Sequence, residues 1–169
     1  MRLLPRRSLP LALAAGLIMA APLGGAPAGA APVAAVEAAH RPATVQSAHG
    51  FAETVDRLTK AIESRGAKVA ATVDHAKAAG SVDMKLRPTT VVIFGNPKLG
   101  TPLMQTNQTA GLDLPLRVLV WEDEDGKVNL GYWPPAMLAE LHGADPESEA
   151  VGRMAKAVGG IVAEAAGKN

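Results

Sequence analysis

The chain has 169 residues, of which 48% are hydrophobic and only 3% aromatic, so a core is available but must be built from Val, Leu, Ile, Met and Ala. It contains no cysteine. That excludes disulfides, thiolate metal sites, haem attachment through cysteine and a lipidated N-terminal Cys.

The first thirty residues have the order of a secretory signal peptide: Arg2, Arg6 and Arg7 form a basic start, Leu9 to Ala21 is apolar, and Ala28-Gly29-Ala30 is a small-x-small cleavage pattern. The apolar run is 13 residues long, short of the ~20 that a spanning helix needs. Cleavage after Ala30 and a periplasmic or secreted location are therefore expected, with an uncleaved anchor as the alternative. Arg6-Arg7 before Ser8-Leu9 also fits twin-arginine export, although Pro10 weakens that pattern. Cleavage lowers the formal charge of +1 to −2, because three of the 17 basic residues and none of the 16 acidic ones precede Ala30. A basic footprint for nucleic acid is absent. No stable membrane span is expected after cleavage.

Residues 31–43 are an Ala/Pro-rich leader without sustained periodicity. A single domain is expected over 44–166. ATVQS (43–47) is a short β-leaning stretch. Phe51, Val55, Leu58 and Ile62 then fall on one helical face, with Gly66 placed to end the helix. KVAATV (68–73) reads as a strand, Asp74-His75 closes it, and AKAAGS has room for one helical turn. TTVVIF (89–94) is the strongest strand, its apolar run suggesting burial on both faces. Thr101-Pro102 resembles an N-cap followed by Pro at the first helical position, predicting a helix through Ala110 with Gly111 after it. Leu116–Glu122 and Val128–Trp133 flank Asp125-Gly126, a hairpin signal. Pro134-Pro135 starts a short helix to Leu141. Asp145-Pro146 opens a last helix whose apolar stripe is Val151, Met154, Val158, Ile161, Val162 and Ala165. This order predicts an α+β domain with a mixed sheet of about five strands and helices mainly on one face. The other face is then apolar and needs cover, which points to a homodimer.

FGNPKLGTP (94–102) follows a strand and precedes a helix, the setting of a phosphate loop. Gly95 and Gly100 have the Walker spacing, but Thr101-Pro102 replaces the required Lys-Ser/Thr, and Pro102 removes an N–H group that would face the anion. It is not a P-loop.

VDHAKAAG (73–80), LRPTTVVIFGNPKLGTPLM (86–104), DLPLRVLVWEDEDGKV (113–128) and LAELHG (138–143) together resemble the bacterial domain of unknown function 302 family. The resemblance covers most of the chain after the leader. It implies a small α+β domain that tends to dimerise, and no reaction.

Five residues are candidates for a site. His75 has the chemistry of an acid/base or a ligand, beside Asp74. The structural alternative has Asp74 capping the turn 76–79 and His75 bonding a backbone carbonyl. Arg87, fixed before Pro88, suits a carboxylate or oxyanion or pairs with an acid such as Asp83. Asn96 and Thr101, with the N–H groups of the helix start, converge on a small anion in one reading; in the other, Asn96-Pro97 is only a rigid turn. Met104 is core by default, since a haem axial role needs a partner the sequence does not show. Trp121, Tyr132 and Trp133 cover a ligand or a dimer contact. The acidic run 122–125 reads as a solvated hairpin tip. His40, His49 and His142 look peripheral. Neither HxxxH nor HExxH occurs, so no metal site and no cofactor is expected.

These features give three functional readings: a non-catalytic homodimeric module binding a small ligand, anions among the candidates; a cofactor-free hydrolase or isomerase using His75; and an envelope protein–protein interaction module. The first leads, because no Gly-x-Ser-x-Gly elbow or paired catalytic carboxylates support an enzyme. A joint site at His75, Asn96 and Thr101 requires the strands ending at Asp74 and Phe94 to run parallel. Antiparallel strands place His75 and Asn96 at opposite ends, where only a dimer partner reunites them.

Overall fold

A computed structural model describes residues 41–168. The expected signal peptide and all but the last three residues of the expected leader lie outside the described residues. The elements are β1 (Ala43–Gln46), α1 (Phe51–Ser64), β2 (Lys68–Asp74), α2 (His75–Gly80), β3 (Thr89–Gly95), α3 (Pro97–Thr106), a 3₁₀ helix (Gln108–Leu112), β4 (Leu116–Glu122), β5 (Val128–Tyr132), α4 (Pro135–Leu141) and α5 (Glu149–Ala166). The five strands form one sheet in the order β1-β5-β4-β3-β2.

The α+β class, the five strands and the helices on one face are as expected. The sheet, however, is antiparallel at every pairing rather than mixed. The cause lies between β2 and β3. α2 is only six residues long, so the chain reverses there instead of crossing the sheet, and an antiparallel neighbour needs no crossover.

Strand alternation sorts the sheet into two faces. Val92, Phe94, Val118, Val120, Val128 and Leu130 are buried against Leu58, Ala61 and Ile62 of α1 and Val158, Ile161, Val162 and Ala165 of α5. The α5 stripe is the one its periodicity predicts. In α1 the buried face is rotated from the predicted one: Thr54 and Ala61 are buried with Leu58 and Ile62. Thr54 fits the core because its hydroxyl bonds the Gly50 carbonyl at 2.8 Å, which removes the cost of an unpaired polar group. Gly66 (φ +71) follows the C-cap of α1 in the left-handed region that glycine tolerates.

On the other face Val91, Ile93, Leu119 and Trp121 are only half-buried. The Trp121 ring lies over Gly131, 2.9 Å from where a Cβ would stand, so Gly131 accommodates the indole. Tyr132 packs on the helix-side core instead. The three hairpin aromatics therefore do not form one patch.

A second apolar cluster joins Leu103 of α3, Ala110, Ala139 of α4, Ala144, and Val151 and Met154 of α5. The hairpin tip is ordered by Asp123, which accepts from the backbone N–H groups of Lys127 (2.9 Å) and Asp125 (3.1 Å) and from Asn129 Nδ2 (3.0 Å). The Lys127 N–H, helped by Asn129 and Asp125, holds the Asp123 carboxyl below its ordinary range.

Candidate functional site

Asn96-Pro97, not Thr101-Pro102, starts α3. Asn96 is the N-cap, its side chain accepting from the Lys98 N–H at 2.9 Å, and Pro97 takes the first turn. Both pairs carry the cap-then-proline signature, and the helix starts at the first of them in the chain. Pro102 is then tolerated inside it, at the cost of one helical bond. α3 ends at Thr106, and a separate 3₁₀ helix capped by Asn107 carries Ala110. The last helix likewise starts later than expected, at Glu149. Asp145 instead accepts from the Glu147 N–H in the preceding turn.

The predicted anion cradle at the start of α3 has its donors engaged. The Lys98 N–H binds Asn96 Oδ1, and the Leu99 and Gly100 N–H groups bind the Asn96 carbonyl at 2.9 and 3.1 Å. Asn96 Nδ2 donates to the Gly66 carbonyl at 3.1 Å. One end of this amide thus caps α3, and the other ties it to the turn after α1.

The five candidates divide between the two ends of the sheet. Asp74 lies opposite Thr90, while Lys68 lies opposite Gly95. At ~3.4 Å per residue, His75 and Asn96 are about 20 Å apart within one chain. The joint site is not formed in a single subunit. Asp74 accepts from the Lys77 N–H at 2.8 Å and caps α2. His75 is exposed, and no hydrogen bond to its ring occurs among the described residues. Arg87 pairs with neither Asp74 nor Asp83: its Nε donates to the Glu122 carbonyl at 3.1 Å, and its Nη2 lies 3.8 Å from Glu124.

Asn96 and Thr101 face a groove of about 430 Å³, within the usual range for ligand sites. It lies where the two apolar clusters meet. Phe94, Val158 and Ile161 come from the first; Met104, Leu114, Leu116 and Met154 come from the second. Ala157 of α5 and Ala70 of β2 complete the walls, and Arg65, Lys68, Asn96 and Thr101 supply the polar lining. Gly95 and Gly100 let the 114–115 segment approach α3: a Cβ at Gly95 would meet Pro115 at 3.3 Å, and one at Gly100 would meet Leu114 at 3.4 Å.

A polar cluster near the same wall corrects the reading of His142 as peripheral. His142 is buried, with Nε2 2.8 Å from Asp113 Oδ2 and Nδ1 3.0 Å from the Thr109 hydroxyl. The Thr109 hydroxyl donates to Asn107 Oδ1 at 2.9 Å, which commits its single proton there. Asp113 also receives Arg117 at 3.2 Å, and Asn107 Nδ2 donates to the His142 carbonyl at 2.7 Å. Hydroxyl, imidazole and carboxylate stand in the sequence of a nucleophilic triad. The groove, however, is lined by neither Thr109 nor His142. The cluster clamps the 3₁₀ helix to the end of α4 and so fixes the Gly111–Leu116 wall. No spacing rule joins positions 107, 109, 113 and 142; only the fold does.

An open antiparallel sheet backed by helices, with an apolar groove at one sheet end, defines a small α+β domain. The chain belongs to the family described as Domain of unknown function DUF302, whose model matches residues 43–163. It is similar in fold to an uncharacterized conserved DUF302 protein from Bacillus stearothermophilus, at a TM-score of 0.68 and 20% identity over 75% of this chain and 98% of that one. It is 44% identical over 125 residues to a protein named fluoride-specific ion channel FluC 1 of Brucella suis biovar 1 (strain 1330), covering 73% of this chain and 49% of that protein. A FluC 1 of Brucella abortus biovar 1 (strain 9-941) matches at the same identity, over 46% of its length. The chain thus spans about half the length of these relatives.

Proposed function

We propose that the protein is a non-catalytic, exported homodimeric module that binds a small ligand in the groove between α3 and α5. The observation that carries this reading is the groove itself. It has ligand-sized volume and apolar walls drawn from both clusters, with four polar side chains at its lining. Among the described residues His75 has no hydrogen-bond partner for acid/base work, and that reading gains no support from its surroundings.

The relatives named as channels are consistent with an appended module. Conduction needs a membrane span, and only helices and closed barrels span. Among the described residues no helix is long and apolar enough, and the sheet is open at β1 and β2. Fluoride is not carried over to the groove, because an apolar cleft offers a bare halide few donors.

Dimerisation is supported by the half-buried sheet face and by the segment 81–87. There Val82, Met84 and Leu86 alternate with charged residues and are each at least 50% exposed, more apolar surface than a lone domain usually leaves in one stretch.

Untargeted mass spectrometry of protein purified from the cell envelope tests the binding reading. A molecule should accompany the wild-type chain and be absent from Ala157→Phe, which fills the groove. Wild-type protein free of any such molecule would count against it. Light scattering should give a dimer that Leu119→Arg dissociates, and intact mass should show loss of the first thirty residues. A monomeric or full-length product would remove the corresponding part.

A further inference from the structure

Resting on that reading of the groove, we infer the class of its ligand: an amphipathic monoanion with an unbranched apolar chain of about ten carbons. The groove's length is set by α5. Met154, Ala157, Val158 and Ile161 recur at helical spacing along its wall, which spans about 10 Å at ~1.5 Å rise per residue. Opposite them stand Leu99 and Met104 of α3. A chain of about ten carbons, as in decanoate, spans that wall, and the volume of about 430 Å³ is of small-ligand size. Two methionines in the walls let the lining adapt to a flexible chain.

The sign of the head group follows from the lining charges. Arg65 and Lys68 are the charged residues there, and no carboxylate lines the groove. Arg65 is held by Glu164 at 2.9 Å. Lys68 has no ion pair among the described residues, so of the two lining cations it is the one left for a ligand to neutralise. The start of α3 does not bind the head, because its N–H groups already bond Asn96. The hydroxyl of Thr101, which shares the lining, is the remaining donor close to the helix start. Chain in the groove and anion beside Lys68 is the arrangement that takes the apolar chain out of water and leaves the carboxylate next to an exposed cation.

Calorimetric titration with decanoate, decanol and decyltrimethylammonium, each below its aggregation concentration, tests this. Decanoate should bind at one site per chain, decanol about tenfold more weakly, and the cation without saturation. Lys68→Glu, a change on the exposed surface of β2, should abolish the preference for decanoate over decanol and leave the melting temperature unchanged. Ala157→Phe should weaken decanoate and decanol alike by tenfold or more. Equal affinity for decanoate and decanol, or a preference that survives Lys68→Glu, overturns the anionic head. Failure of all three probes overturns the ligand class. In that case a different molecule that accompanies wild-type protein but not Ala157→Phe preserves the binding module, whereas none at all removes both.

Discussion

Two aspartate–histidine pairs can be compared in this molecule. Asp74 and His75 are neighbours in sequence and do not interact: the carboxylate caps α2 through the Lys77 N–H, and the imidazole stands in solvent. Asp113 and His142 are 29 residues apart and lie 2.8 Å from each other, with the imidazole buried. Adjacent residues in an extended chain point to opposite sides, so adjacency argues against an Asp–His contact at the end of a strand. The pair that the fold assembles comes from two loops held together by helices on either side. The first pair serves its own turn. The second joins separate parts of the chain and braces a groove wall.

The largest expected effect is at His142. Replacing it by Ala removes a buried ring together with its bonds to the half-buried Asp113 carboxylate and the exposed Thr109 hydroxyl, a loss of about 2 kcal/mol that is mostly lost packing. Urea unfolding should show a clearly lower midpoint. His142→Ala should also weaken any groove ligand, since the Gly111–Leu116 wall loses its brace. A midpoint within error of wild type would make the clamp incidental and erase the contrast between the pairs.

The sequence made much of the fold legible and little of the site. The α5 stripe and the hairpin around Gly126 follow from periodicity and turn chemistry, which are local properties. Helix starts were less legible, because Asn96-Pro97 and Thr101-Pro102 carry the same signal five residues apart. Strand direction between β2 and β3 was not legible at all: a 13-residue connection permits both, and the brevity of α2 decided it. The groove escaped for a different reason. Its walls combine Ala70, Phe94, Met104, Leu114 and Ala157, ordinary core residues individually. Of the five candidates only Asn96 and Thr101 lie there, and Asn96 proves to be a cap as well as a lining residue.

Asn96 sharpens the comparison, because one side chain does both kinds of work. Its Oδ1 caps its own helix, as Asp74 does; its Nδ2 reaches a distant loop at Gly66, as His142 reaches Asp113. Asn96→Ala loses both and should cost about 1–2 kcal/mol. Asn96→Asp keeps the cap acceptor and loses only the donor to Gly66, so it should recover part of that loss. Equal destabilisation by the two variants in thermal melts would show that the long-range tie carries the whole effect.

The smallest effects belong at the first pair, and they separate its two members. Asp74→Ala removes a cap from a short exposed helix and should cost about 1 kcal/mol at most, confined to α2 and visible as faster amide exchange there. His75→Ala removes an exposed ring with no hydrogen bond among the described residues. It should change stability by less than ~0.5 kcal/mol and leave decanoate binding as in wild type. The binding measurement is the more telling of the two. Antiparallel pairing puts His75 about 20 Å from Asn96 in one chain, so the groove cannot feel this substitution directly. If His75→Ala nevertheless weakens the ligand tenfold, the imidazole must reach a groove in the other subunit. The site would then belong to the dimer and not to the single domain.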